Sequence, residues 1–588
     1  MTREITQSAQ DLAAEWLEGW VLAIERQDAP AAAGMFAEDG YWRDILSFTW
    51  DLRTFHGTAR ITSALTEFMK GAGARAFRLE EGHEAIFTER DGVKCLEAFF
   101  LFETSLTRGR GHLRLIRDAG AESGWKAWTL LTTSQELKGF EERTGHRRPR
   151  GNEHSRGREN WLDRRLEASR FETSEPDVII IGAGQAGLSL AARLGLLDVS
   201  TLVIDREQRI GDNWRRRYHS LALHNEIWGC HLPYIPFPPS WPAYISKDML
   251  GDWLESYASS MQLNVWTETE LIEGTFDEGD HRWTTQIKRA DGSVRTLHPR
   301  HLVLAIGISG VANTPNLAGA SDFSGQIVHS GGCVVDSTAE GKRVLIVGSG
   351  NSAHDIAQEL HGYGAEVTML QRTSTCVVSV EPSAMTVFKP YREGGPAVQD
   401  VDLVGASIPY PLLTEFYKGL TKQFAEWDKE LLTSLERVGF KTDFGDDGSG
   451  FYLKYLRTGG GYYLNVGCSD LIVAGEIKVK QGVDLARMTA NEAVFGDGSS
   501  MPVDMVVLAT GYKNMKESVR NLLGDEVAER VGEAWGFDEE GELRNMWRRT
   551  AQEGFWFMGG SLAQCRNYSR YLALQIKAAD QSLLPPFG

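Results

Sequence analysis

The sequence predicts an α/β chain in which two nucleotide-binding βαβ units follow a separate α+β unit, and three observations carry that prediction. Pro176 to Glu207 opens with an unbroken β-branched run, Val178 to Ile181, passes through Gly182, Gly184 and Gly187 in the spacing G-x-G-x-x-G, and closes on Thr201 to Ile204 with Asp205 at the end. Gly341 onward repeats the pattern: Val344 to Val347, then Gly348-Ser349-Gly350-Asn351-Ser352-Ala353, then a helix from His354 to Leu360. Residues from about 9 to 140 read differently, with helical spacing first and strand-like runs afterwards. Short apolar runs bounded by Gly are what strands buried on both faces of a parallel sheet require. The two repeats are therefore Rossmann-type units, and the leading segment is a domain of its own.

In the first unit, Gly182 permits the tight strand-to-helix turn, Gly184 lets the backbone approach a pyrophosphate, and Gly187 lets helix and strand lie close. The unpaired N–H groups and positive dipole end of the helix then face phosphate. Asp205 is placed to accept the ribose hydroxyls of an unphosphorylated adenosine end. Candidate cofactor-binding residues here are Gly182, Gly184, Gln185, Ala186, Gly187, Asp205 and Arg206, followed by Asn213, Trp214 and Arg217.

The second unit differs where the nucleotides would differ. Ala353 stands for the third Gly, and the offset from Gly182 to Asp205, applied to Gly348, lands on Gln371, with Arg372-Thr373-Ser374 following. A cation in place of an acid suits the 2′-phosphate of NADP. Gly348, Gly350, Asn351, Ser352, Arg372 and Thr373 are the candidates. Asp504 to Tyr512 ends in A-T-G-Y, whose Thr510 and Gly511 let the chain cross beside a cofactor.

With 588 residues the chain is too long for one core. A net charge of −18 disfavours a nucleic-acid surface. The six cysteines include no C-x-x-C pair, which points to reduced thiols and away from disulfide-type reductases. An acidic start without a basic-then-apolar leader, and no apolar run long enough for a bilayer, predict a cytoplasmic protein with no membrane partner.

Within residues 1–140, Leu12, Trp16, Trp20 and Ile24 recur at helical spacing, a short helix fits Ala31 to Phe36, and Glu38-Asp39-Gly40 reads as a turn. Gly57 leads a helix through Ile61, Leu65 and Met69, and strands fit Ala85 to Phe87, Leu96 to Phe102, His112 to Ile116 and Trp125 to Thr133. This arrangement, with its Ala37-Glu38-Asp39-Gly40 turn and Gly124-Trp125-Lys126-Ala127-Trp128 strand, resembles the SnoaL-like polyketide-cyclase and ketosteroid-isomerase superfamily, a cone with a pocket in its mouth. Asp44, His56, His83 and Glu97 are the residues that could line such a pocket. The density of aromatic residues favours a packing or scaffold role. A charged connector follows at 141–175, with basic residues at Arg147, Arg148, Arg156 and Arg158 and an expected anchor at Asn160-Trp161-Leu162.

From about 176 to 580 the chain resembles single-component flavin-containing monooxygenases, the plant and bacterial YUCCA-like enzymes in particular. Gly211-Asp212-Asn213-Trp214 resembles the family's G-G-x-W, and Phe323 to His329 resembles its F-x-G-x-x-x-H hallmark, with Cys333 where an aromatic residue is usual. The resemblance implies FAD and NADPH as cofactors and an oxygen atom transferred from a C4a-peroxyflavin to a small organic substrate, by N- or S-oxygenation or YUCCA-type oxidation of a 2-oxo acid. It places Asn225 beside the flavin, with His224 as a neighbour able to hold the proton. Baeyer–Villiger oxidation of ketones is the alternative within the family. From other classes, a flavin reductase or oxidase, or a cyclase or ligand-binding role for the leading domain, also stand. Expected partners are the substrate and dioxygen, with a homodimer left open. The expected division is an FAD domain at 176–335 and 506–588, and an NADP domain at 336–505 with a helical insertion at about 382–467. In that insertion Leu413 to Leu435 reads as one amphipathic helix with an aromatic stripe, either core packing or, with Gly459-Gly460-Gly461 and Tyr462-Tyr463-Leu464 just beyond, a lid or channel wall for the substrate.

Overall fold

The structure, a computed structural model, describes residues 8–118, 120, 124–151 and 160–585. The leading unit has α1 (Ala9–Glu25), α2 (Ala29–Ala33) and α3 (Thr58–Ala72) packed on a seven-stranded sheet. Its strands are β1 (Phe36–Ile45), β2 (Leu52–His56), β3 (Arg75–Leu79), β4 (Ile86–Arg90), β5 (Val93–Glu103), β6 (Thr107–Arg117) and β7 (Trp125–Leu137), in the order β2-β1-β7-β6-β5-β3 with β4 also on β5. Ser8 caps α1 in a capping box with Asp11. The period-2 alternation of β5 decides what each sheet face does. Leu96, Ala98, Phe100 and Phe102 join the core of the leading unit with Trp16, Trp20, Phe36 and Trp42, while Phe99 packs on the core of the main body.

Three local expectations are corrected. The short helix is Ala29–Ala33, because Asp28 accepts from Ala31 N at 3.0 Å and Phe36 already belongs to β1. Glu38-Asp39-Gly40 is not a turn between elements; β1 runs through it, and its register with β7 shifts between Phe36 and Tyr41, as at a bulge. In the connector, Asn160 caps a helix (Trp161–Arg170) that buries no residue, and Trp161 is 54% exposed. The buried residue there is Phe171. Arg156 and Arg158 lie outside the described residues.

Two parallel five-stranded sheets make the body. The first runs Val265–Trp266, Thr201–Ile204, Val178–Ile181, His301–Leu304, Phe555–Phe557, and the second Gln326–His329, Met505–Leu508, Arg343–Val347, Glu366–Gln371, Lys478–Gln481. In each, the chain builds outward in one direction from the strand before the glycine turn and a later strand, His301–Leu304 or Met505–Leu508, pairs on its other side, so strand order reverses beside that strand; in the second sheet the earlier strand Gln326–His329 lies beyond Met505–Leu508. Open parallel sheets bind ligands at such a switch point. The hallmark segment Gln326–His329, assigned from sequence to the first unit, pairs with Met505–Leu508 in the second sheet.

Between the paired strands Cys376–Ser379 and Tyr462–Asn465 the chain makes helices Val398–Ala406, Tyr410–Trp427, Lys429–Arg437 and Gly450–Thr458. The single helix expected over Leu413 to Leu435 is therefore two. It breaks at Asp428, whose carboxylate accepts from Ser379 N at 3.0 Å, tying the break to the adjacent strand.

Candidate functional site

A cavity of about 1560 Å³ opens where the two sheets, the inserted helices and the leading unit meet. Its volume exceeds the roughly 300–1,000 Å³ of a pocket for one small ligand, so it has room for more than one.

Both glycine turns sit at the switch points. Gly182 has φ +111°, and a Cβ there would lie 2.7 Å from Ala305 O on the neighbouring strand end; Gly348 has φ +125°, and a Cβ would lie 2.3 Å from Ala509 O. A Cβ on Gly187 would lie 2.0 Å from Gly182 O, so helix and strand touch there. The helices that follow, Gln185–Leu196 and Asn351–Gly362, have Gly184 and Gly350 as N-caps and no side-chain cap. Their first-turn amides are left for a ligand, and an anion is what the dipole favours. The terminal helix Leu562–Asp580 contrasts with them, because Ser561 and Gln564 close its N-terminus in a capping box. This glycine and amide arrangement fits two dinucleotides.

Of the expected cofactor residues, Gly182, Gly184, Gln185, Ala186, Asp205, Arg206, Asn213, Trp214 and Arg217 line the cavity, as do Asn351 and Ser352. Asp205 also braces the turn, its carboxylate accepting from Ala183 N at 2.6 Å and from Glu207 N at 2.8 Å. Trp214 Nε1 donates to Gln185 Oε1 at 3.2 Å. Gly187, Gly348, Gly350, Arg372, Thr373, Thr510 and Gly511 are not on the cavity wall. The side chain of Arg372 is 75% exposed and its only charge partner among the described residues is Asp484 at 3.9 Å. Gln371 is buried and bonded to Lys441 N and O, so it supports the strand end. Thr510 Oγ1 donates to Asn313 O at 2.6 Å, and Gly511 O lies 3.0 Å from His329 Nε2 of the hallmark segment.

His224 and Asn225 line the cavity on a loop pinned at both ends, by Leu223 N to Ile245 O and Ile227 N to Ala243 O, each at 2.8 Å. The amide of Asn225 has no hydrogen-bond partner among the described residues. Gly560 to Gln564, at the start of the terminal helix, line the same space. Sequence reasoning named Tyr462 beside a lid or channel wall but missed the other tyrosines that complete the space. Tyr391, Tyr410, Tyr417, Tyr452, Tyr455 and Tyr462 come from the inserted segment, and Tyr455 Oη donates to Gln564 Oε1 at 3.1 Å. Burial raises the pKa of each above the ordinary phenol value, that of Tyr452 to about 12, so all six are neutral hydroxyls at working pH. Tyr410, Tyr417, Tyr452 and Tyr455 lie on helices, where aromatic spacing is produced equally by core packing, and Tyr391 lies outside any helix.

The four residues considered for a pocket inside the leading unit are dispersed. Asp44 is buried under donors from Thr132, Thr49 and Phe48, and burial still pushes its pKa up to about 6. His56 stacks on Tyr41 with ring centroids 4.2 Å apart. His83 and Glu97 lie on the outer face and line the large cavity. All six cysteines are unpaired and buried, and the one on the cavity wall, Cys230, has a thiol pushed up to about 12 by burial. Dithiol chemistry has no site here. No helix among the described residues is long and apolar enough to cross a membrane.

Two glycine turns at switch points, one lining the cavity and the other leading into a helix that does, fit a flavin- and pyridine-nucleotide-dependent oxidoreductase. A family model described as pyridine nucleotide-disulphide oxidoreductase matches residues 179–393. Indole-3-pyruvate monooxygenase YUCCA1 of Oryza sativa subsp. japonica is 31% identical over 369 residues, 62% of this chain and 83% of that protein. YUCCA4 of the same plant is 30% identical over 404 residues, 66% and 83% of the two chains. The structure of cyclohexanone monooxygenase with bound epsilon-caprolactone superimposes with a TM-score of 0.51 at 16% identity, covering 69% of this chain and 88% of that one; it speaks for the fold alone. The chain belongs to the flavin-containing monooxygenase family, on its YUCCA-like side. It is an oxidoreductase that uses FAD and NADPH.

Proposed function

We propose that this protein transfers one atom of dioxygen to a small aromatic substrate, and that the first glycine turn holds FAD while the second receives NADPH. The observation that carries the reading is that the first turn, and the start of the helix after the second turn at Asn351 and Ser352, give onto one cavity with a tyrosine wall. Gly182, Gly184, Gln185, Ala186, Gly187, Asp205, Arg206, Asn213, Trp214 and Arg217 are assigned to FAD, with Thr510 and Gly511 at the crossing. Gly348, Gly350, Asn351, Ser352, Arg372 and Thr373 are assigned to NADPH. Bound flavin, reduced by NADPH, supplies the electrons that activate dioxygen, one oxygen going to product and the other to water.

The protein's own part is to hold geometry and exclude water. The unpartnered amide of Asn225 supplies a hydrogen bond at the reacting face, and His224 holds a proton beside it. The neutral tyrosines offer hydroxyls and apolar ring faces to an aromatic substrate without bringing charge. Because the related rice proteins are named for indole-3-pyruvate, an aromatic 2-oxo acid is the substrate class proposed here. The leading unit is read as SnoaL-like in shape, and its aromatic filling supports a scaffold role over a catalytic one. Six unpaired thiols support a reducing, cytoplasmic setting.

The purified protein is expected to be yellow and, given NADPH, an aromatic 2-oxo acid and isotope-labelled dioxygen, to form a product carrying one heavy oxygen. Unlabelled product, or colourless protein that cannot be reconstituted with FAD, would sink the proposal. Asn225→Ala should keep NADPH oxidation within a few fold while product falls by about 100-fold, the scale for losing one positioned donor, with hydrogen peroxide appearing instead. Arg372→Ala should raise KM for NADPH by about tenfold, the low end for a charge-assisted hydrogen bond. KM for NADH should not move; an equal change for both nucleotides would remove Arg372 from the 2′-phosphate.

A further inference from the structure

One end of the cavity is built by the leading unit. Ile86 and Arg90 of β4 and Glu97 and Phe99 of β5 line it, and the inserted segment, which reaches the leading unit at Asp400, also puts Lys389 and Arg392 on the cavity wall. This end meets solvent, with Ile86 51% exposed and the side chain of Arg90 39% exposed.

Its charges do not cancel. Arg90 grips Glu97 through Nε and Nη2 at 2.8 and 2.6 Å, and Arg114 Nε holds the same carboxylate at 2.7 Å. Burial works to raise the pKa of Glu97, but Arg90 and Arg114 override it and hold the group at about 2. Two guanidiniums thus share one permanent anion, which leaves one positive charge over. Nη1 of Arg90 has no partner among the described residues, so its two N–H groups are available. The neighbouring Asp400 is already matched, by Arg110 Nη2 at 2.6 Å and His83 Nε2 at 3.1 Å, and Glu80 takes Arg110 Nε at 2.7 Å. Lys389 and Arg392 are exposed and unpartnered among the described residues, and Glu393 beside them is not on the cavity wall. A cationic rim over the apolar surfaces of Ile86 and Phe99, on a chain of net charge −18, is a local reversal of sign. A funnel of one sign raises the local concentration of the opposite ion, and a guanidinium with free donors matches a carboxylate.

We propose that the leading unit forms one side of the substrate entrance, and that Arg90, with Lys389 and Arg392 on the wall of the same cavity, selects small organic carboxylates over neutral molecules of the same shape. The inference rests on the reading that this cavity receives the substrate, but its test does not need turnover. Oxidised holoenzyme is titrated calorimetrically with para-(methylthio)benzoate and with neutral thioanisole. The anion should bind at least about tenfold more tightly at low salt, and the preference should shrink as salt rises to about 0.5 M, where charges a few ångströms apart are screened. Arg90→Gln should abolish most of the preference and leave thioanisole affinity unchanged, and Arg90→Lys should restore part of it. Lys389→Gln/Arg392→Gln, at exposed sites where folding is not at risk, should weaken only the anion. Equal affinity of the wild-type protein for both probes, or an equal loss of both in Arg90→Gln, overturns the proposal. Anion-selective binding without oxygenation of either probe would count against the proposed reaction and leave the entrance standing.

Discussion

Replacing Gly182 by alanine is expected to yield colourless protein, while Gly348→Ala should stay yellow and lose reduction by NADPH. Both glycines occupy the left-handed side of conformational space, at φ +111° and +125°, where a Cβ clashes with the residue's own backbone. Each also abuts a neighbouring strand end, where the added carbon would sit 2.7 Å from Ala305 O or 2.3 Å from Ala509 O, closer than real side chains approach. Neither contact can be relieved by a rotamer change, because the obstacle is backbone. The turn must open, and the first-turn amides of the uncapped helix swing away from the phosphates they serve. A displacement on the order of 1 Å costs about 100-fold in a positioned reaction. Flavin content on purification and the anaerobic rate of hydride transfer separate the two variants. If Gly182→Ala retained FAD and lost only NADPH, the two assignments would be exchanged.

Sequence made these turns legible because each is continuous in the chain: strand, glycines and helix fall within thirty-odd residues, and local sterics alone dictate the residue types. His224 and Asn225 came from family resemblance, and the structure sets both on the wall of the cavity. The insertion reads from sequence as core or as a lid or channel wall, without telling which of its residues face the cavity. Tyr391, Tyr417 and Tyr455 lie in an insertion whose helical stripe has the same spacing whether it faces a core or a cavity. Glu97 and Phe99 alternate with core residues on β5, and nothing in that alternation says that the outer face meets another part of the chain. Leu413 to Leu435 kept helical periodicity across a break, because Asp428 interrupts the helix to bond Ser379 from a distant strand. The misread hallmark strand has the same origin. Gln326–His329 finds its partner some 180 residues later, at Met505–Leu508, so contiguity with the first unit was a poor guide.

Arg43→Ala is the substitution expected to cost most stability. Arg43 lies on β1 of the leading unit and is fully buried, yet its partners belong to the main body: Nε and Nη2 bond the two carboxylate oxygens of Glu542 at 2.7 and 2.6 Å, and Nη1 donates to Ala406 O at 2.8 Å. Thr54 Oγ1 adds a 2.7 Å bond to Glu542. Removing the guanidinium strands a buried carboxylate, and such losses run to about 3–5 kcal/mol. The exchange of both partners, Arg43→Met with Glu542→Leu, should recover most of this, since an apolar pair of similar size needs no solvation. The pH dependence gives an independent sign. Burial works to raise the pKa of Glu542, but Arg43 keeps it below the ordinary value, so in the wild-type protein its contribution is present above the unfolded pKa and lost as pH falls. Without Arg43, burial dominates and the folded pKa rises above the unfolded one; stability should then be greatest in acid and fall as pH rises toward neutrality. In a chain of several domains the quantity to follow is the first urea transition, not a global two-state value. An Arg43→Ala variant within about 1 kcal/mol of wild type, with an unchanged pH slope, would mean that the leading unit is not docked through this pair.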